Sequence, residues 1–236
     1  MTSRPVQIDP PAPNAGTVIR RRTALSILKD GIRKLTPKFV LDELRRYRRS
    51  NDVALPLYVK LRISAGIRAS SPRNQHLQEV RCVLFLCFGN IMRSPMCEAL
   101  MSRALQSGTH RPIKVMSAGL NATDGREAHP WAISAARELG VSLEEHRARS
   151  VRPEMIGEAD LILTMDTQNY AQLISRFPAA RAKTLMLGSF DTPRRLEIAD
   201  PFFEGPQATS HCYRVLGACI DSLLRHLECD SSKRNM

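Results

Sequence analysis

Two side chains six positions apart, Cys87 and Arg93, have the chemistry that breaking a phosphate ester requires. A cysteine thiolate is a nucleophile that can attack phosphorus, and a planar guanidinium can hold two phosphate oxygens at once. The spacing alone is weak evidence, because it occurs twice more, in Cys97–Arg103 and Cys219–Arg225. Both of those pairs fall within predicted helices, where the chain cannot form an open loop around an anion. The sequence therefore favours only the pair that begins at Cys87.

The residues around Cys87 are typical of a phosphate-binding loop between a strand and a helix. Cys82–Leu86 is an apolar run of strand length, and helix-forming residues occupy Pro95–Leu105. Backbone N–H groups converge at such a helix N-terminus, where the helix dipole favours both a phosphate and a thiolate. Ser94 can donate to the Cys87 sulfur, and Gly89 allows a backbone conformation that a side chain would penalise. The expected phosphate-binding residues are Phe88, Gly89, Asn90, Ile91, Met92 and Ser94.

A carboxylate near the end of the chain can supply the proton that a departing oxygen needs. Asp200 precedes Pro201, which restricts the backbone at Asp200 and so limits where its carboxyl group can point. Phe202 and Phe203 follow and would form an aromatic wall suited to a phenyl ring. We therefore expect Asp200 to be the general acid and Phe202 to contact the substrate. Arg93 and the backbone N–H groups of Gly89–Ser94 would stabilise the transition state, and no metal ion or cofactor is needed.

From residue 82 onward, short apolar segments typical of buried strands alternate with segments typical of helices. The expected strands are Cys82–Leu86, Ile113–Ser117, Asp160–Met165 and Thr184–Leu187. The expected helices are Pro95–Leu105, Pro130–Leu139, one through Leu173 and Ile174, and Gln207–Leu227. This alternation predicts an α/β fold with a parallel sheet, in which ligands bind at the carboxyl ends of the strands.

The loop and four later segments together resemble the low-molecular-weight protein tyrosine phosphatases over about residues 81–229. In chain order these segments are Cys87–Met96, Ser117–Gly119, His146–Arg149, Asp160–Asp166 and Asp200–Phe202. The resemblance implies a three-layer α/β/α domain with a four-stranded parallel sheet. It also implies hydrolysis of phosphotyrosine in proteins through a cysteinyl-phosphate intermediate, with no cofactor. Asp200 would act first as the general acid and then as the base that activates water, and His146 would hold Asn90 in place.

Other activities occur on the same scaffold or would use the same loop. Ile91 follows the tyrosine-phosphatase pattern, whereas the related arginine-phosphate phosphatases carry threonine at the matching position. Thioredoxin-coupled arsenate reductases need two further cysteines on a mobile segment, and this chain has none between Cys97 and Cys212. A non-catalytic phospho-binding module would lack part of the catalytic set, which is intact here. Met92 departs from the many members of the family that carry a second cysteine in the loop.

The formal charge of +12 is concentrated at the N-terminus. Residues 1–80 carry 16 Lys and Arg against 6 Asp and Glu, whereas residues 81–236 carry 19 against 17. Basic amphipathic helices can lie on anionic lipid or bind an acidic protein. Residues 17–68 are therefore expected to contact an anionic membrane surface or an acidic partner, unless they form a solvated appendage. A nucleic-acid partner is disfavoured, because no binding motif accompanies the arginines.

The composition divides the chain into a basic extension, a catalytic domain and a tail. Within the extension at 1–80, residues 1–16 are rich in proline and predicted to be disordered, short amphipathic helices follow, and a polar linker is expected at about 69–80. The phosphatase domain is expected over 81–229, and a C-terminal tail over 230–236.

The sequence carries no recognisable membrane span or secretory signal. The longest apolar run near the middle of the chain, Val83–Phe88, is far shorter than the roughly 20 residues that cross a membrane. The first residues of the sequence lack the apolar segment of a signal peptide, so the six cysteines are expected to be thiols. A cytoplasmic location is expected, with attachment to the membrane surface as the alternative.

Overall fold

The strand predicted to precede the cysteine loop lies in the interior of the sheet. In the computed structural model, β1 (Cys82–Cys87) is buried along its whole length and pairs in parallel with a strand on each side. Four parallel strands lie in the order β2-β1-β3-β4, with β2 at Lys114–Gly119, β3 at Leu161–Thr164 and β4 at Thr184–Met186. A continuous apolar strand suits this position because helices cover both faces of a parallel sheet. The predicted four-stranded parallel sheet is confirmed.

The structure describes residues 57–58, 77–107, 111–191 and 197–228. The predicted disordered start, the basic amphipathic helices and the C-terminal tail lie outside these residues. The surface expected to bind a membrane or an acidic partner, 17–68, is described only at residues 57–58.

Helices cover both faces of the sheet. From residue 77 onward the α-helices are α1 (Arg93–Ser107), α2 (Pro130–Glu138), α3 (Pro153–Glu158), α4 (Thr167–Arg176) and α5 (Pro206–Glu228). Short 3₁₀ helices occur at Leu77–Glu79, Pro178–Lys183, Leu187–Phe190 and Pro201–Phe203. Helix α3 was not predicted, because its six residues are too few to show a helical repeat of apolar positions. No helix among the described residues is long and apolar enough to cross a membrane.

Alternate side chains of β1 point to opposite faces of the sheet and enter two separate cores. Val83 and Phe85 lie in the core shared with α1 and α5, whereas Leu84 and Leu86 lie in the core shared with α3 and α4. All four side chains are fully buried. The two cores on either side of one sheet make the predicted three-layer α/β/α arrangement.

The chain just before β1 packs on the domain. Leu77 and Val80 are each 5% exposed and belong to the core shared with α1 and α5. The Arg111 guanidinium donates a hydrogen bond of 3.0 Å to the carbonyl oxygen of Leu77. Further upstream, Tyr58 is 4% exposed and packs with Ala171 of α4. The last residues of the expected linker at 69–80 are thus part of the folded domain, because their apolar side chains are buried there.

Replacing Leu77 by alanine should lower the free energy of unfolding by about 2–5 kcal/mol, because the change removes buried methylene groups and leaves a cavity. Urea denaturation of the full chain measures this difference. Glu79→Ala is the control, since Glu79 is exposed in the same turn and its loss should change stability by less than about 0.5 kcal/mol. Equal stability of both variants and the wild type would show that this turn contributes nothing to the domain.

Candidate active site

The nucleophile candidate stands at the junction of β1 and α1. Cys87 is the last residue of β1 and Arg93 is the first residue of α1, so the residues between them form a loop at the helix N-terminus. The Cys87 Sγ accepts a hydrogen bond from the backbone N–H of Asn90 at 3.3 Å and lies 3.0 Å from the Ser94 Oγ. The Asn90 N–H therefore points at the sulfur, and the Ser94 hydroxyl lies within hydrogen-bond distance of it.

Asn90 holds the shape of the loop. Its φ of 52° lies in the left-handed region, where asparagine is tolerated better than most residues. Its Nδ2 donates to the Ser94 Oγ at 3.0 Å and to the Ser117 Oγ at 2.9 Å, and its Oδ1 accepts from the backbone N–H of Arg149 at 2.9 Å. The His146 Nε2 lies 2.7 Å from the Asn90 carbonyl oxygen, which can only accept, so Nε2 carries the hydrogen. Four contacts thus converge on one buried residue.

The glycine that the loop requires is on the neighbouring strand. Gly89 has no positive φ, and a Cβ there would meet Ile91 only at an ordinary 3.6 Å. Gly89 was expected to adopt a backbone conformation that a side chain would penalise. This expectation is wrong, because the residue of the loop with a positive φ is Asn90. By contrast, a Cβ on Gly119, at the end of β2, would lie 2.9 Å from the Asn90 nitrogen and 2.7 Å from the Ala122 Cβ. Gly119 lets β2 approach the backbone of the loop.

Arg93 is a buried cation held by two carboxylates. Its side chain is 2% exposed, and its two terminal nitrogens lie 2.8 Å from Asp166 and 3.1 Å from Asp200. A third contact, of 2.9 Å, joins the guanidinium to the carbonyl oxygen of Ile198. Burial lowers the pKa of Arg93, but Asp200 and Asp166 raise it by more, so the guanidinium stays charged. Asp166 had no predicted role beyond its place in the matching segment Asp160–Asp166.

A series of hydrogen bonds extends from Asn90 through Ser117 and Glu98 to the protein surface. It was not predicted from the sequence. The Ser117 hydroxyl donates to Glu98 at 2.5 Å, and Glu98 accepts from the Arg149 guanidinium at 2.7 Å. Since Ser117 gives its hydrogen to Glu98, its oxygen is left to accept from Asn90. The sequence signals for Ser117 and Arg149 were their places in the matching segments Ser117–Gly119 and His146–Arg149, and neither of these two residues was assigned a role.

The loop, Asp200 and two aromatic side chains enclose a cavity of about 230 Å³. Phe202 is partly buried, and its ring lies edge-on to Phe203 at 4.7 Å and to His129 at 5.4 Å. Phe203 is 68% exposed at the rim. The sequence-predicted residues that line the cavity are Cys87, Phe88, Gly89, Ile91, Met92, Arg93, Asp200 and Phe202. Three others, Asn90, Ser94 and His146, support the loop from outside the cavity.

His129 connects this wall to α2. Its backbone precedes the helix, and its Nδ1 accepts a hydrogen bond of 3.2 Å from the Trp131 N–H, which would otherwise lack a partner inside the helix. Burial and the nearby Arg126 charge lower the pKa of His129. The cap requires the neutral imidazole, because a protonated Nδ1 cannot accept.

Comparisons with known proteins agree on one family. A family model described as "Low molecular weight phosphotyrosine protein phosphatase" matches residues 82–233. The low-molecular-weight protein-tyrosine-phosphatase Wzb of Escherichia coli K12 is 38% identical over 134 residues, which is 57% of this chain and 86% of Wzb. The crystal structure of the tyrosine phosphatase AmsI of Erwinia amylovora has a TM-score of 0.58 and 34% identity, and covers 63% of this chain and 94% of AmsI. The YwlE arginine phosphatase of Geobacillus stearothermophilus has a TM-score of 0.59 and 31% identity, covering 66% of this chain and 98% of YwlE.

Two substitutions separate the conformational role of Asn90 from its hydrogen bonds. The two variants are Asn90→Gly and Asn90→Ala. Glycine adopts a positive φ freely, whereas this conformation costs alanine about 1–2 kcal/mol, so Asn90→Gly should be more stable than Asn90→Ala in urea denaturation. Both variants lose the side-chain amide, so both should lose at least about tenfold in kcat on an aryl phosphate, because the loop donors are no longer held in place. A wild-type kcat in Asn90→Gly would show that the amide contacts are dispensable.

The His129 cap should make stability depend on pH. The pKa of His129 in the folded protein is below its ordinary value of 6.5. The neutral cap therefore contributes fully to the free energy of unfolding above pH 6.5, and this contribution is lost as the pH falls through the pKa of the folded state. His129→Ala should therefore be less stable than the wild type by about 1 kcal/mol at pH 7.5, and the difference should shrink toward pH 5. His129→Asn, a cap that does not titrate, is the control and should keep its advantage over alanine at both pH values. A difference between wild type and His129→Ala that is the same at both pH values would contradict this role.

Proposed function

The chain belongs to the low-molecular-weight protein tyrosine phosphatase family, and we propose that it hydrolyses phosphotyrosine in proteins through a phosphorylated Cys87. The observation that carries this proposal is the convergence of three groups on one cavity. These are a cysteine sulfur that faces hydrogen-bond donors, a buried guanidinium, and a carboxylate 3.1 Å from that guanidinium. Each supplies one requirement of phosphoryl transfer: the nucleophile, the charge that binds phosphate, and the proton donor.

In the first step, the Cys87 thiolate attacks phosphorus and the bond between phosphorus and the tyrosine oxygen breaks. Asp200, which is paired as a carboxylate with Arg93 before substrate binds, takes up a proton when the substrate phosphate occupies that guanidinium, and it transfers this proton to the tyrosine oxygen so that tyrosine leaves as a neutral phenol. The Arg93 fork and the loop N–H groups stabilise the charge on the three remaining oxygens, because they are already oriented before the substrate arrives. The products of this step are the phenol, a cysteinyl phosphate and the Asp200 carboxylate.

In the second step, water attacks the cysteinyl phosphate. The Asp200 carboxylate takes a proton from the water, the bond between sulfur and phosphorus breaks, and inorganic phosphate leaves. This restores both the thiolate and the protonated acid. The Phe202 N–H donates to the Asp200 Oδ1 at 3.2 Å, which helps to orient the carboxyl group that lines the cavity.

We assign phosphotyrosine as the substrate on the character of the cavity wall. Phe202 and Ile91 line the cavity and offer apolar surface to a phenyl ring. Phosphoarginine is the second candidate, because the YwlE protein at 31% identity is named an arginine phosphatase. The family resemblance favours phosphotyrosine, since Ile91 stands where the arginine phosphatases carry threonine.

We also propose a cytoplasmic location for this reaction. No disulfide joins the five cysteines among the described residues, and thiols persist in reducing compartments. An anionic membrane surface or an acidic partner for residues 17–68 stays a prediction from their basic composition.

The proposed roles can be tested with three substrates: an aryl phosphate, a phosphotyrosine peptide and a phosphoarginine peptide. Cys87→Ser should lose activity by several orders of magnitude, and Asp200→Ala should lose about 10²- to 10⁴-fold in kcat because the leaving oxygen is no longer protonated. The matched controls are Cys82→Ser, at the opposite end of β1, and the exposed Asp221→Ala on α5. Activity that survives Cys87→Ser would refute the mechanism, and preference for phosphoarginine would refute the substrate.

A further inference from the structure

Arg126 lies where two surface cavities meet. It lines the 230 Å³ cavity above Cys87 and also a second cavity of about 500 Å³ at the start of α2. None of the residues that carry the proposed reaction lines the second cavity. A side chain shared by both can therefore contact parts of a substrate that extend beyond the phosphate and the phenyl ring.

The other charges at the second cavity are already paired. Glu127 lies 3.4 Å from Arg147, and Arg137 contacts Glu144. Arg126, which is exposed, forms no ion pair with any residue in the described part of the chain. Its guanidinium can thus bind an incoming carboxylate without first breaking an ion pair with one of those residues.

The main chain holds Arg126 in place. Its N–H donates to the carbonyl oxygen of Thr123 at 3.3 Å, and its carbonyl oxygen accepts from the N–H of Ala148 at 2.7 Å. The next residue, Glu127, forms a β-bridge with Arg147. A charge on a fixed backbone loses less entropy on binding than one on an unanchored loop.

We infer that Arg126 is a specificity-determining residue that selects phosphotyrosine peptides carrying an acidic side chain within two residues of the phosphotyrosine. This inference rests on the proposed function. With the phosphate at Cys87 and the ring along Phe202, the peptide leaves the cavity at its rim, where Arg126 and Phe203 are exposed. An acidic side chain there reaches Arg126, and the residues beyond it enter the second cavity. The apolar lining of that cavity comes from Ala128, Pro130 and Ile133.

Two phosphotyrosine peptides that differ only in Glu or Gln beside the phosphotyrosine test this role. For the full-length wild type, kcat/KM should be about two- to fivefold higher with the Glu peptide, the range expected for an exposed charge pair. The ratio should fall to about one in Arg126→Gln and below one in Arg126→Glu. It should also fall toward one as salt is added, because salt screens exposed charges.

Arg152→Gln is the matched control. It removes the same charge from another exposed arginine, one that pairs with Asp124 at 3.1 Å and lines neither cavity. Its Glu-to-Gln ratio should equal that of the wild type. A wild-type ratio of one, or an unchanged ratio in Arg126→Gln, would overturn the role of Arg126 while leaving the phosphatase activity established. A wild type that fails to hydrolyse even an aryl phosphate would overturn the proposed function, and the role of Arg126 with it.

Discussion

The active site depends on keeping several backbone and side-chain donors aimed at one point above Cys87. Donors that point at the same place repel one another, because each carries a partial positive charge. A loop of this kind therefore needs other contacts to hold its shape. Here Asn90 fixes it, through a left-handed backbone and three side-chain hydrogen bonds to Ser94, Ser117 and the Arg149 N–H. Gly119 lets β2 come close enough for these contacts. The loop is therefore organised before any phosphate binds, as efficient charge stabilisation requires.

The burial of Arg93 links this loop to the rest of the domain. A buried guanidinium is costly unless it is paired, and its partners come from two distant parts of the chain. Asp166 follows β3 and also caps α4 by accepting from the Asn169 N–H at 2.7 Å. Asp200 begins the segment that carries the aromatic wall. The same contacts that neutralise Arg93 thus bring the proton donor to the phosphate site, so stability and catalysis share residues.

The sequence was sufficient for features that are local, and insufficient for those that depend on strand register. An apolar run, a short loop and a proline-marked helix follow one another directly within residues 82–107, so β1, the Cys87 loop and α1 could be predicted together. The pairing of Phe85 with Ser117 and of Leu86 with Thr164 joins segments far apart in the chain. That register places Ser117 beside Asn90 and brings the end of β3 toward Arg93, which explains why the roles of Ser117 and Asp166 were missed.

The most direct test of the account is to observe phosphorus on Cys87. The full chain, mixed with an aryl phosphate, would be quenched in acid within one turnover and digested for mass spectrometry. We expect a phosphate on the peptide that contains Cys87, because the proposed first step forms a bond between its sulfur and phosphorus. Turnover of the aryl phosphate with no phosphate on this peptide, or with phosphate on another residue, would contradict the mechanism.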